Sequence, residues 1–338
     1  MDKLDLPSIS IIVPTMGRRG TLRSLLDSLR ELEYDPDRIE VIIVDGEKNG
    51  EVEKVVSDYP FILVKDEGTG LNKARNIGFK KSSHEIVAFT DDDCVVSRDW
   101  ALRIAESFSD PSIGFVGGSV IGYNKERILS TYMDETIVPV MPRYREKIVT
   151  RSLELLNFPA GCNMAFRRKA LEKINLFDER ITYGFDDLEP VERIIHADFN
   201  IFLNPEVLVL HKHRINLRGF LRQNFRYGRG GMLYLQTRRR SSLSRWIRNY
   251  LAAVFLGLIV LSLPLIAALV TRVLLFVVVD FGLLTIPGII LMLLYIRNFK
   301  VMDDLKKVLL YPLIDILRGI AFAFGALYQL LISLLRGR

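Results

Sequence analysis

The fold of this chain can be read outward from one short segment, Ile86-Val-Ala-Phe-Thr-Asp-Asp-Asp93. Its first five residues form an apolar run typical of a strand that is buried on both faces. Three carboxylates follow at the end of that strand, and a divalent cation is the usual reason to keep adjacent carboxylates ionised. Acidic triplets also occur on solvated turns, so the position after a buried strand is what favours a metal site.

Three similar apolar runs precede this strand. They are Ser8–Val13, Glu40–Val44 and Phe61–Val64, and the intervening segments 21–32 and 70–80 have helical character. Alternating strands and helices predict an α/β fold with a mostly parallel sheet and helices on both faces. Ligands bind at the carboxyl ends of the strands in such sheets, so polar residues that follow a strand are the first candidates for a site. Besides the acidic triplet, these residues are Pro14, Thr15, Asp45 and Gly46.

A second acidic group, Asp186-Asp187 with Glu189, precedes a segment whose apolar spacing predicts a helix. One interpretation is structural, because acidic side chains near a helix N-terminus interact favourably with the helix dipole. The other is catalytic, with one carboxylate acting as a general base. Spacing alone leaves both interpretations open.

Six motifs, taken in order, resemble glycosyltransferase family 2. They are Ser8-Ile-Ser-Ile-Ile-Val-Pro-Thr15, Val41-Ile-Ile-Val-Asp-Gly46, Gly70-Leu-Asn-Lys-Ala-Arg-Asn-Ile-Gly78, Phe89-Thr-Asp-Asp-Asp93, Gly161-Cys-Asn-Met-Ala-Phe-Arg-Arg168, and Asp186-Asp187 with Arg193. Each motif is unspecific alone, and together they cover about residues 8–230. The resemblance implies the GT-A fold, inversion of the anomeric configuration, a nucleotide-diphospho-sugar donor and a divalent cation, Mn²⁺ or Mg²⁺.

The resemblance also assigns residues to the donor and to the cation. The positions that match the donor site are Pro14, Thr15, Asp45, Gly46, Arg75, Asn76, Asp91 and Asp92. The Asp45 carboxylate is expected to accept hydrogen bonds from the nucleotide base. Asp93 is expected to ligate the cation, with Asp91 and His211 as further ligands. A hydrogen-bonded structural role is the alternative for His211.

The catalytic base and the acceptor site follow from the later motifs. Asp187 matches the second acid of the family's Glu-Asp motif, which is the base. The first acid is Asp186 here rather than Glu, and Phe185 stands where glycine is common. Counting back six residues from Arg193 favours Asp187 over Asp186 as the base. The expected acceptor-binding residues are Gly161, Cys162, Asn163, Arg222 and Arg226, the two arginines through a phosphate or pyrophosphate group.

The composition is that of a folded protein with a membrane part. The 338 residues include 46 Lys+Arg and 40 Asp+Glu, giving a net charge of +6, and 49% are hydrophobic. This content excludes disorder as the dominant state. Two cysteines are too few for a disulfide scaffold and fit a reducing compartment. No signal peptide is visible at the N-terminus, so we expect the N-terminal part to remain unexported.

Most of the apolar excess follows residue 250. Leu251–Val270 and Val273–Ile296 are each long enough to cross a bilayer as a helix, and the two residues between them predict a helical hairpin at about 250–296. We expect Val308–Leu335 to form a third membrane helix. Asp315 and Arg318 interrupt this run, and the alternative is that its first half lies in the interface. The i, i+3 spacing of these two charges allows them to pair on one helix face.

A basic segment precedes the first apolar run. Residues 212–248 contain ten Arg, one Lys and no acid. The arginines at 218, 222, 226 and 229 share one helix face beside an apolar stripe, which is typical of a helix on an anionic membrane surface. The adjoining apolar runs favour this interpretation over a nucleic-acid patch. The positive-inside rule then places residues 1–250 in the cytoplasm of a multi-pass cell-membrane protein.

These patterns define three regions and rank the possible functions. We expect a catalytic domain over residues 1–213, a basic interfacial region over 214–248 and a membrane region over 249–338. The leading hypothesis is transfer of a sugar to a hydroxyl of a lipid-linked saccharide or glycolipid. A polyprenyl-phosphate glycosyltransferase is a close alternative, in which the ionised phosphate would need no base. A processive polysaccharide synthase and a non-catalytic sugar-binding protein are less favoured.

Overall fold

The computed structural model describes residues 6–17, 19–68, 70–137, 139–153, 158–181, 184–271, 289–297 and 304–335. The chain divides into two compact units. The first comprises Met1–Lys125 and Pro139–His213, and the second comprises Glu126–Val138 and Arg214–Arg338. A short segment from within the expected catalytic region therefore belongs to the second unit. The assignment of catalytic, interfacial and membrane regions along the chain stays a prediction.

The described part of the first unit is built on one mixed sheet. Its strands are β1 (Ile9–Thr15), β2 (Ile39–Asp45), β3 (Ile62–Lys65), β4 (Ile86–Phe89), β5 (Cys94–Val96), β6 (Ile113–Gly122), β7 (Ile148–Thr150), β8 (Met164–Arg167) and β9 (Asn200–His211). The order across the sheet is β3-β2-β1-β4-β8-β6-β9-β5, and β7 pairs with β9. Strands β1 to β4 are parallel, as is the pair β6–β9, whereas β8 runs antiparallel to β4 and β6. The predicted α/β fold is confirmed, with antiparallel strands β5, β7 and β8 added.

The described helices occur in both units. They are α1 (Arg19–Arg30), α2 (Glu51–Val56), α3 (Leu71–Lys81), α4 (Trp100–Ser107), α5 (Ile128–Glu135), α6 (Arg168–Lys173), α7 (Leu188–His196), α8 (Leu217–Thr237), α9 (Ser242–Thr271), α10 (residues 289–297) and α11 (Leu305–Leu335). Helices α5 and α8 to α11 belong to the second unit.

The sheet is buried on both faces, as the continuous apolar strands predict. Along β1, Ile9, Ile11 and Val13 enter one core cluster and Ile12 enters the other. This alternation follows from the two-residue period of a strand. The two clusters are the layers of side chains between the sheet and the helices on its two faces.

Strand β1 continues two residues further than the apolar run suggests, through Pro14 and Thr15. Proline lacks the N–H that a central strand normally donates. The pairing of β1 with β4 stops at Ile12, whereas its pairing with β2 runs on to Thr15. Pro14 therefore stands where β1 has a neighbour on one side only. The same register brings Thr15 beside Asp45 at the carboxyl end of β2.

In the second unit, α8 packs against α11 at a close crossing of two glycines. A Cβ atom on Gly228 would lie 1.9 Å from the carbonyl oxygen of Phe322, and one on Gly325 would lie 1.9 Å from that of Phe225. Only glycine permits this approach of two helix backbones. The apolar side of α8 is therefore covered in part by α11, with Phe220 fully buried.

Two described helices, α9 and α11, are long and apolar enough to cross a membrane. Large apolar side chains on α9 are exposed, such as Leu256 (62%) and Leu269 (76%). The predicted pairing within α11 is confirmed, because Arg318 Nε lies 3.5 Å from Asp315 Oδ1. Most of the second half of the predicted hairpin, residues 272–288, lies outside the described residues.

Candidate active site

A side-chain hydrogen bond connects the carboxyl end of β1 to the acidic triplet. The Thr15 hydroxyl donates a hydrogen bond to Asp92 Oδ2 at 2.7 Å, and both side chains are buried. Asp91 and Asp93, on either side of Asp92, are partly exposed. The bond fixes the triplet at the end of β1, with its two outer acids largely but not fully buried. The donor-binding roles of Pro14, Thr15 and Asp92 stay predictions.

Asp45 is a buried carboxylate at the same edge of the sheet. Its Oδ1 accepts a hydrogen bond from the Glu47 N–H at 2.8 Å, and its Oδ2 pairs with Lys65 Nζ at 2.7 Å. Gly46 follows it, and the Gly46 N–H donates to the Thr15 carbonyl at 3.0 Å. The Lys65 side chain is 52% exposed, and its Nζ also lies 3.5 Å from Glu53 Oε2. Asp45 thus offers a fixed acceptor whose cationic partner is at the surface.

Arg75 and Asn76 lie on α3 and face inward. The Arg75 guanidinium is 1% exposed, donates to Asn72 Oδ1 at 3.0 Å and pairs with Asp186 Oδ2 at 2.8 Å. Within the described residues, its Nε has no hydrogen-bond partner. The Asn76 amide donates to the Phe177 carbonyl and accepts from the Phe177 N–H. Arg75 therefore neutralises Asp186, and Asn76 anchors the loop that follows α6.

Asp187 is the N-cap of α7. Its Oδ1 accepts a hydrogen bond from the Leu188 N–H at 3.0 Å, and its Oδ2 accepts one from the Gly161 N–H at 2.9 Å. Burial, together with the neighbouring Asp186 carboxylate, raises the pKa of Asp187 to about 7. A carboxylate with this pKa is suited to accept a proton from a hydroxyl near neutral pH. Because Asp186 is paired with Arg75, the two adjacent acids have different environments.

The turn before these acids has a strained backbone. Gly184 and Phe185 have φ values of +70° and +62°, in the left-handed region that favours glycine. This conformation explains why glycine suits the position that Phe185 occupies. The strained residue immediately precedes the two aspartates. Backbone outliers of this kind often occur at functional sites.

The loop 161–163 leads into β8. A Cβ atom on Gly161 would lie 2.5 Å from Arg75 Nη2, so any side chain there would have to displace the buried Arg75 guanidinium. Cys162 is buried. The Asn163 amide accepts from Trp100 Nε1 and donates to two main-chain carbonyls, those of Ser119 and Val207. Asn163 supports the loop from within the core, and the acceptor-binding roles of these three residues stay predictions.

The acidic triplet meets β9 at His211. His211 Nε2 lies 3.3 Å from Asp93 Oδ1, and the two side chains are 11% and 14% exposed. On the other side of its ring, His211 Nδ1 lies 3.0 Å from His213 Nδ1. Burial and the Asp93 carboxylate raise the pKa of Asp91 to about 6. The structure therefore brings together Asp93 and His211, two of the three expected cation ligands, and Asp91 is close enough to interact electrostatically with both.

The donor set fits a divalent cation. Carboxylate oxygens suit Mg²⁺ and Mn²⁺, and imidazole nitrogen is accepted by several first-row metals. The raised pKa of Asp91 reflects burial first and repulsion by the Asp93 carboxylate second, and a bound cation would offset both. The assignment of the three ligands remains a prediction.

Arg222 and Arg226 lie on α8 in the second unit. Both side chains are exposed, together with Arg218 one turn earlier. Three of the four arginines of the expected basic face are therefore exposed, whereas Arg229 is half-buried and donates to Gln329 Oε1 of α11. The role of Arg222 and Arg226 in acceptor binding stays a prediction.

Three residues of this edge were not expected from the sequence. Lys65 is the ion-pair partner of Asp45. The half-buried Asp66 follows it, and its buried Oδ1 has no hydrogen-bond partner among the described residues. Cys94 lies beside Asp93 and His211. Asp66 comes at the end of a strand, so the rule that ligands bind at the carboxyl ends of strands could have identified it. The position of Cys94 beside His211 depends on the pairing of β5 with β9, which no local sequence pattern predicts.

Comparison with known proteins points to one family. Residues 10–175 match the family model described as glycosyl transferase family 2. This stretch contains β1 to β8 and hence Thr15, Asp45, Arg75 and the acidic triplet.

Individual relatives agree with this match. The chain is 26% identical over 254 residues to the glycosyltransferase AglE of Haloferax volcanii, covering 72% of this chain and 80% of that protein. It is also 26% identical over 237 residues to the pre-mycofactocin glycosyltransferase of Mycobacterium tuberculosis, covering 65% of this chain and 46% of that longer protein. Among solved structures, a similar fold occurs in the mannosyltransferase PcManGT from Pyrobaculum calidifontis, which was solved in complex with GDP-Man and Mn²⁺. The TM-score is 0.61 and the sequence identity is 19%, and the match covers 96% of this chain and 88% of that one.

Proposed function

This chain belongs to glycosyltransferase family 2, and on that premise we propose that it moves a sugar from a nucleotide diphosphate to a hydroxyl of a membrane-associated saccharide or glycolipid. The reaction is a single in-line displacement that inverts the anomeric configuration and depends on a divalent cation. The enzyme is a multi-pass membrane protein whose catalytic domain faces the cytoplasm.

The observation that carries this proposal is the environment of Asp187. Two main-chain N–H groups fix its carboxylate, and its pKa of about 7 allows it to take a proton near neutral pH. Asp187 removes the proton of the acceptor hydroxyl as that oxygen attacks the anomeric carbon opposite the diphosphate. A phosphate acceptor is already ionised and would need no such base, so Asp187 favours a hydroxyl acceptor.

The donor site is the carboxyl edge of β1, β2 and β4. Asp45 is available to the nucleotide base once Lys65 moves aside. The Nε of Arg75, which has no partner in the described part of the chain, offers a buried donor to a phosphate oxygen. Asp91, Asp93 and His211 would hold the cation, which when bound neutralises charge on the departing diphosphate. Because PcManGT was solved with GDP-Man and Mn²⁺, GDP-mannose with Mn²⁺ is the first donor to test.

The membrane-associated acceptor is argued from the second unit. Helices α9 and α11 are long and apolar enough to anchor the chain in a bilayer. The exposed arginines of α8 carry charge suited to lipid phosphates or to the pyrophosphate of a lipid-linked saccharide. Anchoring the enzyme in the membrane raises the effective concentration of such an acceptor.

The test is sugar transfer by the full-length chain in detergent. Radiolabelled GDP-, UDP- and dTDP-sugars are supplied with Mn²⁺ and a panel of glycolipids, polyprenyl-diphosphate saccharides and polyprenyl phosphates. We expect transfer to a hydroxyl-bearing acceptor and a loss of about 10²–10⁴-fold in kcat for Asp187→Asn. Asparagine also caps helices well, so α7 is retained.

The matched control is Asp198→Asn, at an exposed carboxylate just beyond the other end of α7. It should transfer sugar at the wild-type rate. Full turnover by Asp187→Asn with a polyprenyl-phosphate acceptor would contradict the proposal and support the phosphate-acceptor reaction.

A further inference from the structure

A cysteine lies beside the expected cation ligands. Cys94, the first residue of β5, is the direct cross-strand partner of His211, the last residue of β9. One ligand atom from each of Asp93, Cys94 and His211 lies within 4.8 Å of the other two. Among the residues that the structure describes, no other group of three or more His, Cys, Asp or Glu side chains is so arranged.

The spacing of these atoms suits a four-coordinate ion. A nitrogen and an oxygen bound tetrahedrally to Zn²⁺ at their usual lengths lie about 3.4 Å apart. His211 Nε2 and Asp93 Oδ1 are 3.3 Å apart. A sulfur ligand bound to the same ion lies about 3.6 Å from each, so each distance from the Cys94 ligand atom has to shorten by about 1.2 Å at most.

Residues next to these three ligands contact them, as residues around a bound metal usually contact its ligands. The Cys162 and Cys94 thiols are both buried and interact with each other electrostatically. His213 Nδ1 meets His211 Nδ1 at 3.0 Å, and the Asn124 amide bonds the main chain of His213 through both its oxygen and its nitrogen. When His211 donates this bond from Nδ1, its Nε2 lone pair faces Asp93. Such partners fix the tautomer and raise metal affinity.

We propose that Asp93, Cys94 and His211 form a thiolate-containing site for a borderline or soft divalent cation such as Zn²⁺. On binding, the Cys94 thiol releases its proton to solvent and the sulfur forms a bond to the ion. A thiolate ligand selects Zn²⁺ over Mg²⁺ and Mn²⁺, which prefer oxygen. Because this site shares Asp93 and His211 with the proposed catalytic cation, the two ions exclude each other and Zn²⁺ acts as an inhibitor competing with Mn²⁺.

The experiment uses Cd²⁺ as a spectroscopic probe of thiolate binding. The full-length chain in detergent, reduced with a phosphine and without donor, is titrated with Cd²⁺ while the ultraviolet sulfur-to-cadmium charge-transfer band is recorded. We expect one Cd²⁺ per chain, loss of the band in Cys94→Ser and its retention in Cys162→Ser. His211→Gln should keep the band and weaken Cd²⁺ binding about tenfold or more. Excess Mn²⁺ should reduce the band in the wild type.

Absence of the band in the wild type, or its survival in Cys94→Ser of native circular dichroism, would overturn this proposal. If Cys94→Ser fails to fold, His211→Gln decides, because unchanged Cd²⁺ affinity in that variant also overturns it. The titration requires no donor or acceptor. A chain that binds Cd²⁺ in this way but transfers no sugar would contradict the proposed function and leave the thiolate site standing.

Discussion

Asp186 and Asp187 are neighbours in the chain, but their side chains meet different groups. Asp186 pairs with the buried guanidinium of Arg75, whereas Asp187 accepts main-chain hydrogen bonds from Gly161 and Leu188. The Asp186 carboxylate is thus held by the Arg75 guanidinium rather than directed toward an acceptor. Asp187, whose pKa is raised to about 7, is the better base.

We predict an acidic limb in the pH profile of sugar transfer. The base must be ionised, so kcat/KM measured with saturating Mn²⁺ should fall about tenfold per pH unit below the Asp187 pKa of about 7. Asp198→Asn should show the same limb. A profile that is flat from pH 5.5 to 8 would argue against Asp187 as the base.

The same pKa shift has a consequence for stability. Unfolded Asp loses its proton near its ordinary pKa of about 4, and folded Asp187 holds it to about pH 7. The folded state therefore binds more protons in this window, and the free energy of unfolding falls as the pH rises through it. Asp187→Asn should show a shallower decrease in thermal midpoint between pH 4 and 7. An identical slope in both proteins would mean that Asp187 ionises normally.

At the residue scale, the sequence identified carboxylates but not their partners. Strand ends and family motifs pointed to Asp45, Asp93 and Asp187. The contacts of Asp186 with Arg75 and of Cys94 with His211 arise from elements that are far apart in the chain. Such contacts depend on sheet order and register, which local patterns do not encode.

Among the elements, the crossing of α8 and α11 depends on glycine. We predict that Gly228→Ala destabilises the protein by about 1–3 kcal/mol, because its Cβ would overlap the Phe322 carbonyl. Gly219→Ala, on the same helix with open space around it, should be neutral or stabilising by up to about 1 kcal/mol. Thermal unfolding in detergent measures both, and equal effects would contradict the described crossing.

Asp315 connects α5, α10 and α11. It accepts hydrogen bonds from Tyr132 at 2.6 Å, from Thr136 at 3.2 Å and from Tyr295, and it lies beside Arg318. The i, i+3 spacing indicated the Arg318 contact. The hydroxyl partners could not be expected, because they come from distant parts of the chain.

We predict that Asp315→Ala costs about 3–5 kcal/mol, since it leaves a guanidinium and several hydroxyls without their shared acceptor. Asp315→Asn keeps one oxygen and should cost less. Denaturant unfolding in detergent, followed by circular dichroism, measures the free energy of unfolding of each variant and shows which of the two is less stable. The reverse order, or no loss in Asp315→Ala, would show that this cluster contributes little to stability.

For the whole molecule, α9 and α11 predict integral membrane association. The full-length chain should remain in the membrane pellet after washing with high salt or alkaline carbonate, and detergent should release it. The triple variant Arg218→Gln, Arg222→Gln, Arg226→Gln should remain in the pellet too. Release of the wild type by salt alone would instead indicate attachment through surface charge.

The central claim is that the carboxyl edge of the sheet holds a nucleotide diphosphate together with a divalent cation. Calorimetric titration of GDP, UDP and dTDP into the full-length chain, with and without Mn²⁺, tests it most directly. We expect Mn²⁺ to raise the affinity for at least one nucleotide about tenfold or more in the wild type, and not in Asp93→Asn. The claim would be contradicted if no nucleotide binds, or if Mn²⁺ has the same effect on both proteins.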